Sequence, residues 1–451
     1  MPERWYPLSY SQRDIWNHWK RHRLGSEYNT CLLVRFSEPV DASALRRAFA
    51  CLVDGHESLR TTYHERNGEM LQCVGDRDAA AFETVDALGW DVARLEREVA
   101  QRAYRPIDLE VGPAFYGTFF SRPRGGDALL LVAHHILLDN WGGAFIFERF
   151  GALYASALRL KPDEALVAER EPVTYGSFAE RQCAMLASPA GERLARFWKR
   201  ELAAPLPAPL PPTDRPRRHP PIYDAATERF VFDEAFVGKI NAFAKGVGLS
   251  VYRVLLAAFF ALLHQRYGQQ DVIVATQLLA RSPEYRDVLG YFVATGFIRE
   301  RVAPGVPFAE LCKRIGKRVD AFYEHQDYPL PALLERLGRD AAADPIAPVL
   351  FTYQRSRRTS AASAELAGTP SMVVGSAPFS FGGTPCTSHP MPKREIADEF
   401  HAMLEEIDGA LHCRFTYRRE LWNAATVAGM VEEYRAFLDG AILEATASQP
   451  G

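Results

Sequence analysis

Two adjacent histidines and an aspartate four residues further on are the residues of this sequence best suited to chemistry. They lie in HHILLDNWGG, residues 134–143, directly after the apolar run Leu129–Ala133. A neutral imidazole can take a proton from an attacking amine or hydroxyl near neutral pH, or hold that nucleophile in line. Asp139 is placed to orient the turn through a salt bridge. These residues form the candidate chemical centre.

Adjacent side chains of an extended strand point to opposite faces, so only one of His134 and His135 can face a given cavity. We expect one to be chemical and the other structural. A competing interpretation is that both are satisfied core residues. A metal site is disfavoured because neither HExxH nor a Cys/His cluster accompanies the pair. A serine hydrolase is disfavoured because no GxSxG turn is present.

The elements that must position this segment alternate between helix and strand patterns. Residues 42–54 have apolar residues at helical spacing, and residues 31–38 and 128–136 are apolar runs of strand length. An almost continuous apolar run between a Ser250 cap and Gly268 predicts a buried helix, and a strand is expected after it at residues 271–279. The pattern predicts an α/β fold.

Residues 205–221 contain eight prolines in seventeen positions, which excludes a persistent helix or central strand there. We expect a stiff connector between two lobes. Residues 359–392 are rich in Ser, Ala, Gly, Thr and Pro, which indicates a long loop with one short strand near residues 371–374.

The composition is that of an ordinary globular protein: 451 residues, 47% hydrophobic, with 53 Lys+Arg against 56 Asp+Glu. The formal net charge of −3 gives no reason to expect a nucleic-acid partner. The seven cysteines form no CxxC pair, and neither a signal peptide nor a membrane span is recognisable. We expect reduced thiols, a cytoplasmic protein and no membrane partner.

HHILLDNW resembles the HHxxxDG signature of the condensation domains of nonribosomal peptide synthetases, in the chloramphenicol acetyltransferase superfamily. Other segments resemble further motifs of this family in the expected order. They are SYSQRDIW at 9–16, GHESLRTTY at 55–63, YGSFAERQ at 175–182, LGYFVATGFIR at 289–299 and HQDYP at 325–329.

The resemblance implies two acyltransferase-like α/β lobes that form a V-shaped pseudo-dimer around a central tunnel. The lobes would span residues 1–204 and 222–451, joined by the connector at 205–221. His135 matches the histidine that faces the tunnel and positions or deprotonates the acceptor, and His134 matches its structural neighbour. Asp139 matches an aspartate that pairs with an arginine of the second lobe, for which Arg281 is the candidate.

The activity implied is transfer of an acyl chain from the phosphopantetheine thioester of an acyl or peptidyl carrier protein to an amine or hydroxyl. The acceptor would be a small molecule or a second carrier-bound group, and release of a nonribosomal peptide or polyketide chain as an amide or ester is one form of this reaction. The arm belongs to the carrier, so we expect no cofactor or metal on this chain. Because no adenylation or carrier motif is recognisable, we expect a free-standing enzyme, with an excised synthetase domain as the alternative.

Two positions depart from the family pattern. Asn140 replaces the usual glycine after the motif aspartate, and Ala294 replaces an asparagine. We expect Asn140, Trp141 and Ala294 to line the tunnel. The two departures indicate an unusual substrate or, alternatively, reduced activity. A coenzyme A-dependent acyltransferase and an inactive partner-recruiting domain remain alternatives. Epimerisation and cyclisation are less favoured.

Overall fold

A computed structural model divides the chain into two compact units. Unit 1 comprises Met1–Met185, Arg281–Val293 and Arg357–Pro392, and unit 2 comprises Leu186–Ala280, Ala294–Ser356 and Lys393–Gly451. The structure describes residues 4–76, 80–122, 126–161, 164–167, 173–339, 345–355, 379–389, 391–407 and 409–447.

Unit 1 contains a six-stranded sheet and a three-stranded sheet. Its helices are α1 (Tyr10–Arg21), α2 (Ala42–Gly55), α3 (Val92–Ala103), α4 (Asn140–Arg159) and α5 (Tyr175–Leu186). Its strands are β1 (Arg4–Pro7), β2 (Asn29–Phe36), β3 (Thr61–Arg66), β4 (Glu69–Val74), β5 (Ala81–Asp86), β6 (Phe115–Ser121), β7 (Ala128–His134), β12 (Phe379–Phe381) and β13 (Thr384–His389). The strand orders are β12-β13-β2-β7-β6-β5 and β1-β4-β3.

The core of unit 1 explains why β7 is a continuous apolar run. Every residue of this strand is buried, and β2 and β6 flank it. Asp41 caps α2 by accepting from the backbone N of Ala44 at 2.8 Å, and the Phe49 ring of α2 stacks on Phe115 of β6 at 5.2 Å. A strand buried on both faces leaves its polar residues only at its end, where His134 lies.

Unit 2 contains one six-stranded sheet of order β10-β9-β11-β14-β15-β8. Its strands are β8 (Ala225–Phe232), β9 (Asp271–Leu279), β10 (Val293–Arg301, whose first residue belongs to unit 1), β11 (Val349–Arg355), β14 (Phe400–Ile407) and β15 (Ala410–Arg418). Its helices are α6 (Pro189–Glu201), α7 (Glu234–Gly246), α8 (Val251–Tyr267), α9 (Phe308–His325), α10 (Leu330–Leu337) and α11 (Ala424–Ala447).

The predicted buried helix is α8, with every side chain from Val254 to Leu263 buried. Ser250 is its N-cap residue, but its side chain makes no capping hydrogen bond. Gly268 ends the helix at a φ of +70°, in the left-handed region that favours glycine. The helix and strand patterns thus confirm the expected α/β class.

The two compact units have different bounds from the lobes expected at 1–204 and 222–451. The proline-rich segment 205–221 contains neither helix nor strand, as expected, but lies within unit 2 together with residues 186–204. Arg281–Val293 and β12–β13 return to unit 1, where β13 pairs antiparallel with β2 through Cys386 and Phe36. Proline composition locates a break in regular structure, whereas strand pairing between distant segments decides which unit a segment joins.

Other sequence expectations have mixed outcomes. All seven cysteines are thiols rather than disulfide partners, and six of them are buried. No single helix of the described ranges has the length and apolar character needed to cross a membrane, although α7 and α8 pass that test as a pair bent by 97°. The strand expected near residues 371–374 lies outside the described residues.

Candidate active site

His135 lies in a tight turn between a strand and a helix. β7 ends at His134, residues His135–Leu137 form one 3₁₀ turn, and Asp139 caps α4. The backbone N of His135 donates to the Tyr28 carbonyl at 2.8 Å, and its ring Nδ1 donates to the Leu138 carbonyl at 2.6 Å. A carbonyl can only accept, so in its neutral form the ring carries its proton on Nδ1 and its lone pair on Nε2.

His134 is buried, and its ring faces the interior of unit 1. Its Nδ1 accepts from the backbone N of Ile136 at 3.3 Å. Burial, and then the neighbouring His135, lower the pKa of His134 to about 3, so this ring is neutral near pH 7. The two histidines therefore differ in surroundings, because the strand ends between them and His135 begins the turn.

Asp139 is the centre of a buried polar cluster. Its Oδ1 accepts from the backbone N of Gly142 at 2.8 Å, and its Oδ2 accepts from the backbone N of Phe292 at 3.1 Å. Arg281 Nη2 lies 3.1 Å from both carboxylate oxygens, and the two side chains are only 2–3% exposed. This carboxylate thus caps α4 and holds the segment 281–293 beside the turn of His135–Leu137, called the histidine turn below.

Arg281 also organises its own segment. Its guanidinium donates to the backbone carbonyls of Tyr285, Val288 and Gly290, and lies 4.2 Å above the Phe292 ring. The ion pair expected between Arg281 and Asp139 is therefore present in the structure. Arg281 follows β9 of unit 2 in sequence, yet the segment that it begins belongs to unit 1.

The three positions expected to line a tunnel lie in different places. Asn140 is the exposed first residue of α4, with no positive φ, so this turn needs no glycine. Trp141 is 38% exposed and donates from Nε1 to the Arg286 carbonyl at 3.1 Å. Ala294 is buried in β10 and belongs to unit 2, so it is not part of the cluster described here.

Several motif segments meet around the histidine turn within unit 1. Gln12 Nε2 donates to the Ile136 carbonyl at 3.2 Å, and Ser58 Oγ donates to the Leu289 carbonyl at 2.7 Å. Tyr175 Oη donates to the Tyr291 carbonyl at 2.8 Å. Side chains from distant parts of the sequence thereby hold the backbone of residue 136 and of residues 289–291.

The rings of Tyr28 and Tyr291 flank His135. The Tyr291 centroid lies 4.9 Å from the His135 ring at an interplanar angle of 76°, and the Tyr28 centroid lies at 6.5 Å. Sequence reasoning missed these two rings, together with Gln12 and Tyr175. Gln12, Tyr175 and Tyr291 lie inside quoted motifs, so the signal existed at segment level. Tyr28 carried none, because its contact depends on the pairing of β2 with β7.

The segment HQDYP lies at the end of α9 in unit 2. His325 donates from Nδ1 to the Ala321 carbonyl at 2.8 Å, and its ring stacks on Phe197 at 3.6 Å. Trp198 Nε1 donates to the His325 carbonyl at 3.1 Å. These contacts give His325 a structural place at a helix end.

A second titratable cluster lies at the end of α1. Glu27 Oε1 is 2.5 Å from His18 Nε2 and 3.0 Å from His22 Nδ1. Burial opposes ionisation of Glu27, but the hydrogen bond and charge interaction with His18, with the His22 hydrogen bond, lower its pKa to about 2. One ligand atom from each of these residues lies within 4.8 Å of the others.

In its neutral form the His135 ring, with Nδ1 held by Leu138, can accept a proton at Nε2, which suits a general base or a group that orients a nucleophile. Asp139 and Arg281 are engaged with backbone groups and with each other. Their geometry suits positioning rather than proton transfer.

Comparison with known proteins identifies the family. A family model described as Condensation domain matches residues 2–449. Tyrocidine synthase 3 of Brevibacillus parabrevis is 27% identical over 373 residues, covering 82% of this chain and 6% of that protein. Chondramide synthase cmdD of Chondromyces crocatus is 26% identical over 452 residues, covering 99% of this chain and 11% of that protein. The chain thus spans a small part of both synthases.

Solved structures share the fold at low identity. SgcC5 protein of Streptomyces globisporus, in complex with a naphthyl ethanediol and sucrose, has a TM-score of 0.74 at 20% identity, covering 97% of this chain and 98% of that chain. The X-domain from teicoplanin biosynthesis has a TM-score of 0.80 at 19% identity, covering 96% and 94%, and its complex with OxyB also matches. These structures confirm the expected fold class, and the family match over nearly the whole sequence places the chain in the condensation-domain family of nonribosomal peptide synthetases.

Proposed function

We propose that this chain transfers an acyl group from the phosphopantetheine thioester of a carrier protein to an amine or hydroxyl acceptor. The observation that carries the proposal is the Nδ1 hydrogen bond of His135 to the Leu138 carbonyl, which leaves the ring lone pair on Nε2. Family membership supports acyl transfer as the reaction class and carrier proteins as partners.

The reaction needs one proton transfer and no covalent enzyme intermediate. The acceptor nitrogen or oxygen attacks the thioester carbonyl, His135 Nε2 takes its proton, and the tetrahedral intermediate expels the pantetheine thiolate. The proton on Nε2 then neutralises the thiolate. Because a thioester is already activated, orientation of the acceptor and handling of this proton supply much of the rate.

A free-standing enzyme that releases its product as an amide or ester is the form we favour. The match covers 98% of the SgcC5 chain, so the two chains have a similar extent, which supports a free-standing form. The SgcC5 structure contains a diol, which supports a hydroxyl acceptor. The expected cytoplasmic location and the identities of donor and acceptor are parts of this proposal.

The test is intact-protein mass spectrometry of an acyl-loaded carrier protein incubated with this chain and a panel of amines and alcohols. We expect acceptor-dependent loss of the acyl mass from the carrier. His135→Ala should lower the rate by about 10²–10⁴-fold, the usual contribution of a general base. His219→Ala is the matched control, because this exposed histidine lies in the proline-rich segment of unit 2 and should leave the rate unchanged.

Equal rates for His135→Ala and the unaltered chain would contradict the assigned role. Turnover with free acyl-coenzyme A as donor, and none with the loaded carrier, would favour the coenzyme A-dependent alternative. The partner-recruiting alternative is supported by likeness to the X-domain found in complex with OxyB. A carrier that stays loaded with both soluble and carrier-bound acceptors would favour that alternative.

A further inference from the structure

The cluster of His18, His22 and Glu27 is not used by the proposed acyl transfer. We propose that these three residues bind a divalent transition-metal ion of the zinc class, which fastens the end of α1 to the loop that supports His135. This inference stands on the cluster's own geometry and does not depend on the proposed reaction.

The first support is the placement of the ligand atoms. His18 lies in the last turn of α1 and His22 is its C-cap residue, so a spacing of four residues brings both rings to one face of the helix end. Glu27 reaches the same point from the loop before β2. Two imidazole nitrogens and one carboxylate oxygen are donors that zinc accepts, with a fourth position left for water.

The second support is that the ligand atoms are already close to coordinating distances. They all lie within 4.8 Å of one another, and the two hydrogen-bonded separations are 2.5 and 3.0 Å. Zinc–nitrogen and zinc–oxygen bonds of about 2.0–2.2 Å place tetrahedral ligands roughly 3.4 Å apart. For the ion to bind, the two hydrogen-bonded pairs must separate by about 1 Å or less and release the protons that now bridge them.

The third support is charge and enclosure. Glu27 supplies a buried carboxylate, and the C-terminal end of α1 adds the partial negative charge of its carbonyl groups, which favours a cation. Gly25 lies against the cluster, since a Cβ there would come within 1.9 Å of Glu27 Oε2 and 2.3 Å of His22 Nδ1. The loop thus packs closely on these side chains, and a side chain at position 25 would have to displace them.

Tyr28 links this cluster to the turn that His135–Leu137 form. Tyr28 follows Glu27 directly, its carbonyl accepts from the backbone N of His135 at 2.8 Å, and its ring lies 5.1 Å from His18 and 5.8 Å from His134. A metal ion that fixes Glu27 would therefore also fix the backbone group that supports His135. Sequence reasoning missed the cluster because it looked for HExxH and Cys/His patterns, and Glu27 joins the two histidines only through the loop.

The experiment is metal titration of the tag-free full chain after removal of metal by a chelator. We expect one Co²⁺ per chain with visible absorption typical of a tetrahedral site, displaced by Zn²⁺, and a rise in melting temperature when Zn²⁺ is added. His22→Gln and Glu27→Gln should each weaken binding by at least about 10-fold, since even partners outside the ligand set contribute that much. His219→Gln is the matched control and should bind like the unaltered chain.

Gly25→Ala is a second test, because it retains all three ligands and its Cβ would displace Glu27 and His22. It should also weaken binding, while each variant's melting temperature without metal reports whether the chain is folded. Absence of stoichiometric metal uptake by the unaltered chain would overturn the proposal. Equal affinity in His22→Gln, Glu27→Gln and the unaltered chain would overturn it too, and the cluster would then be a hydrogen-bonded unit only.

Discussion

At the residue scale, the two histidines of the motif make opposite hydrogen bonds at Nδ1. His135 donates from Nδ1 to Leu138, whereas His134 accepts at Nδ1 from Ile136. The lone pair of His134 is therefore occupied by the backbone, and burial disfavours its charged form. This difference supports the proposal that His135, rather than His134, exchanges a proton with a substrate.

His134 should make the protein sensitive to acid. Its pKa of about 3 in the folded chain lies below the ordinary value of 6.5, so the unfolded chain binds more protons between these pH values. The free energy of unfolding should therefore fall as the pH drops below about 6.5. This histidine should contribute up to about 1.4 kcal/mol of that loss per pH unit.

The measurement is the free energy of unfolding in urea at several pH values between 4 and 6.5. The slope of this free energy against pH is then compared between variants. His134→Gln should have a shallower dependence on pH than the unaltered chain, while His219→Gln should retain the full slope. Part of the slope should remain in His134→Gln, because burial also lowers the pKa of His401 in unit 2 to about 3. An unchanged slope in His134→Gln would contradict the assignment.

Asp139→Asn should destabilise the chain by about 3–5 kcal/mol, because it leaves the buried Arg281 charge without its counter-ion. The matched control is Asp271→Asn, which removes the partner of Arg299 at a site where Asp271 is 39% exposed. That change should cost no more than about 1 kcal/mol. Urea unfolding of both variants measures the difference, and equal losses would contradict the buried role of the pair.

At the element scale, the site is made by segments that pack against the end of β7. Asp139 joins α4 to the segment 281–293, and Gln12 joins α1 to the histidine turn. Each bond runs from a side chain to backbone, which positions an element more firmly than a contact between two flexible side chains. The histidine turn is thus held from several sides while remaining a short loop.

Gly290→Ala tests the packing of the segment 281–293. A Cβ at this position would lie 1.9 Å from Tyr175 Cδ2, so the tyrosine would be displaced and its hydrogen bond to the Tyr291 carbonyl lost. Overpacking of this kind should cost about 1–3 kcal/mol.

Gly238→Ala is its control, since Gly238 is exposed in α7 with no neighbouring atom within 4 Å of an added Cβ. Alanine there should stabilise the helix by about 0.5–1 kcal/mol. Thermal unfolding of both variants gives the opposite shifts expected. A neutral Gly290→Ala would show that Tyr175 does not fix this segment.

At the scale of the whole molecule, unit 1 is discontinuous in sequence. The segment 281–293 supplies Arg281 to Asp139, and β13 covers the edge of β2. A fragment of residues 1–204 lacks both, leaving a buried carboxylate unpaired and a strand edge exposed.

We therefore expect the 1–204 fragment to lack cooperative unfolding and to be cleaved rapidly by protease, whereas the full chain resists under the same conditions. Circular dichroism on heating and limited proteolysis measure these properties. A fragment that unfolds cooperatively would show that residues 1–204 suffice for the unit, as the proline-rich segment by itself suggested.

The sequence by itself determined what depends on local pattern. Apolar patterning located α2 by its helical spacing, and it located α8, β7 and β9 as apolar runs whose length distinguishes a helix from a strand. The histidine pair and the Asp139–Arg281 pair were identified through motif resemblance, whose segments the structure brings together around one turn of unit 1.

Only the tertiary structure decided what depends on pairing between distant residues. It assigned Arg281 to unit 1, joined β13 to β2, placed the Tyr28 and Tyr291 rings beside His135, and brought Glu27 to His18 and His22. These contacts have no local signature, because their free energy comes from burial and hydrogen bonds made only after the chain has folded. Composition marks where regular structure stops, and long-range contacts decide where each segment belongs.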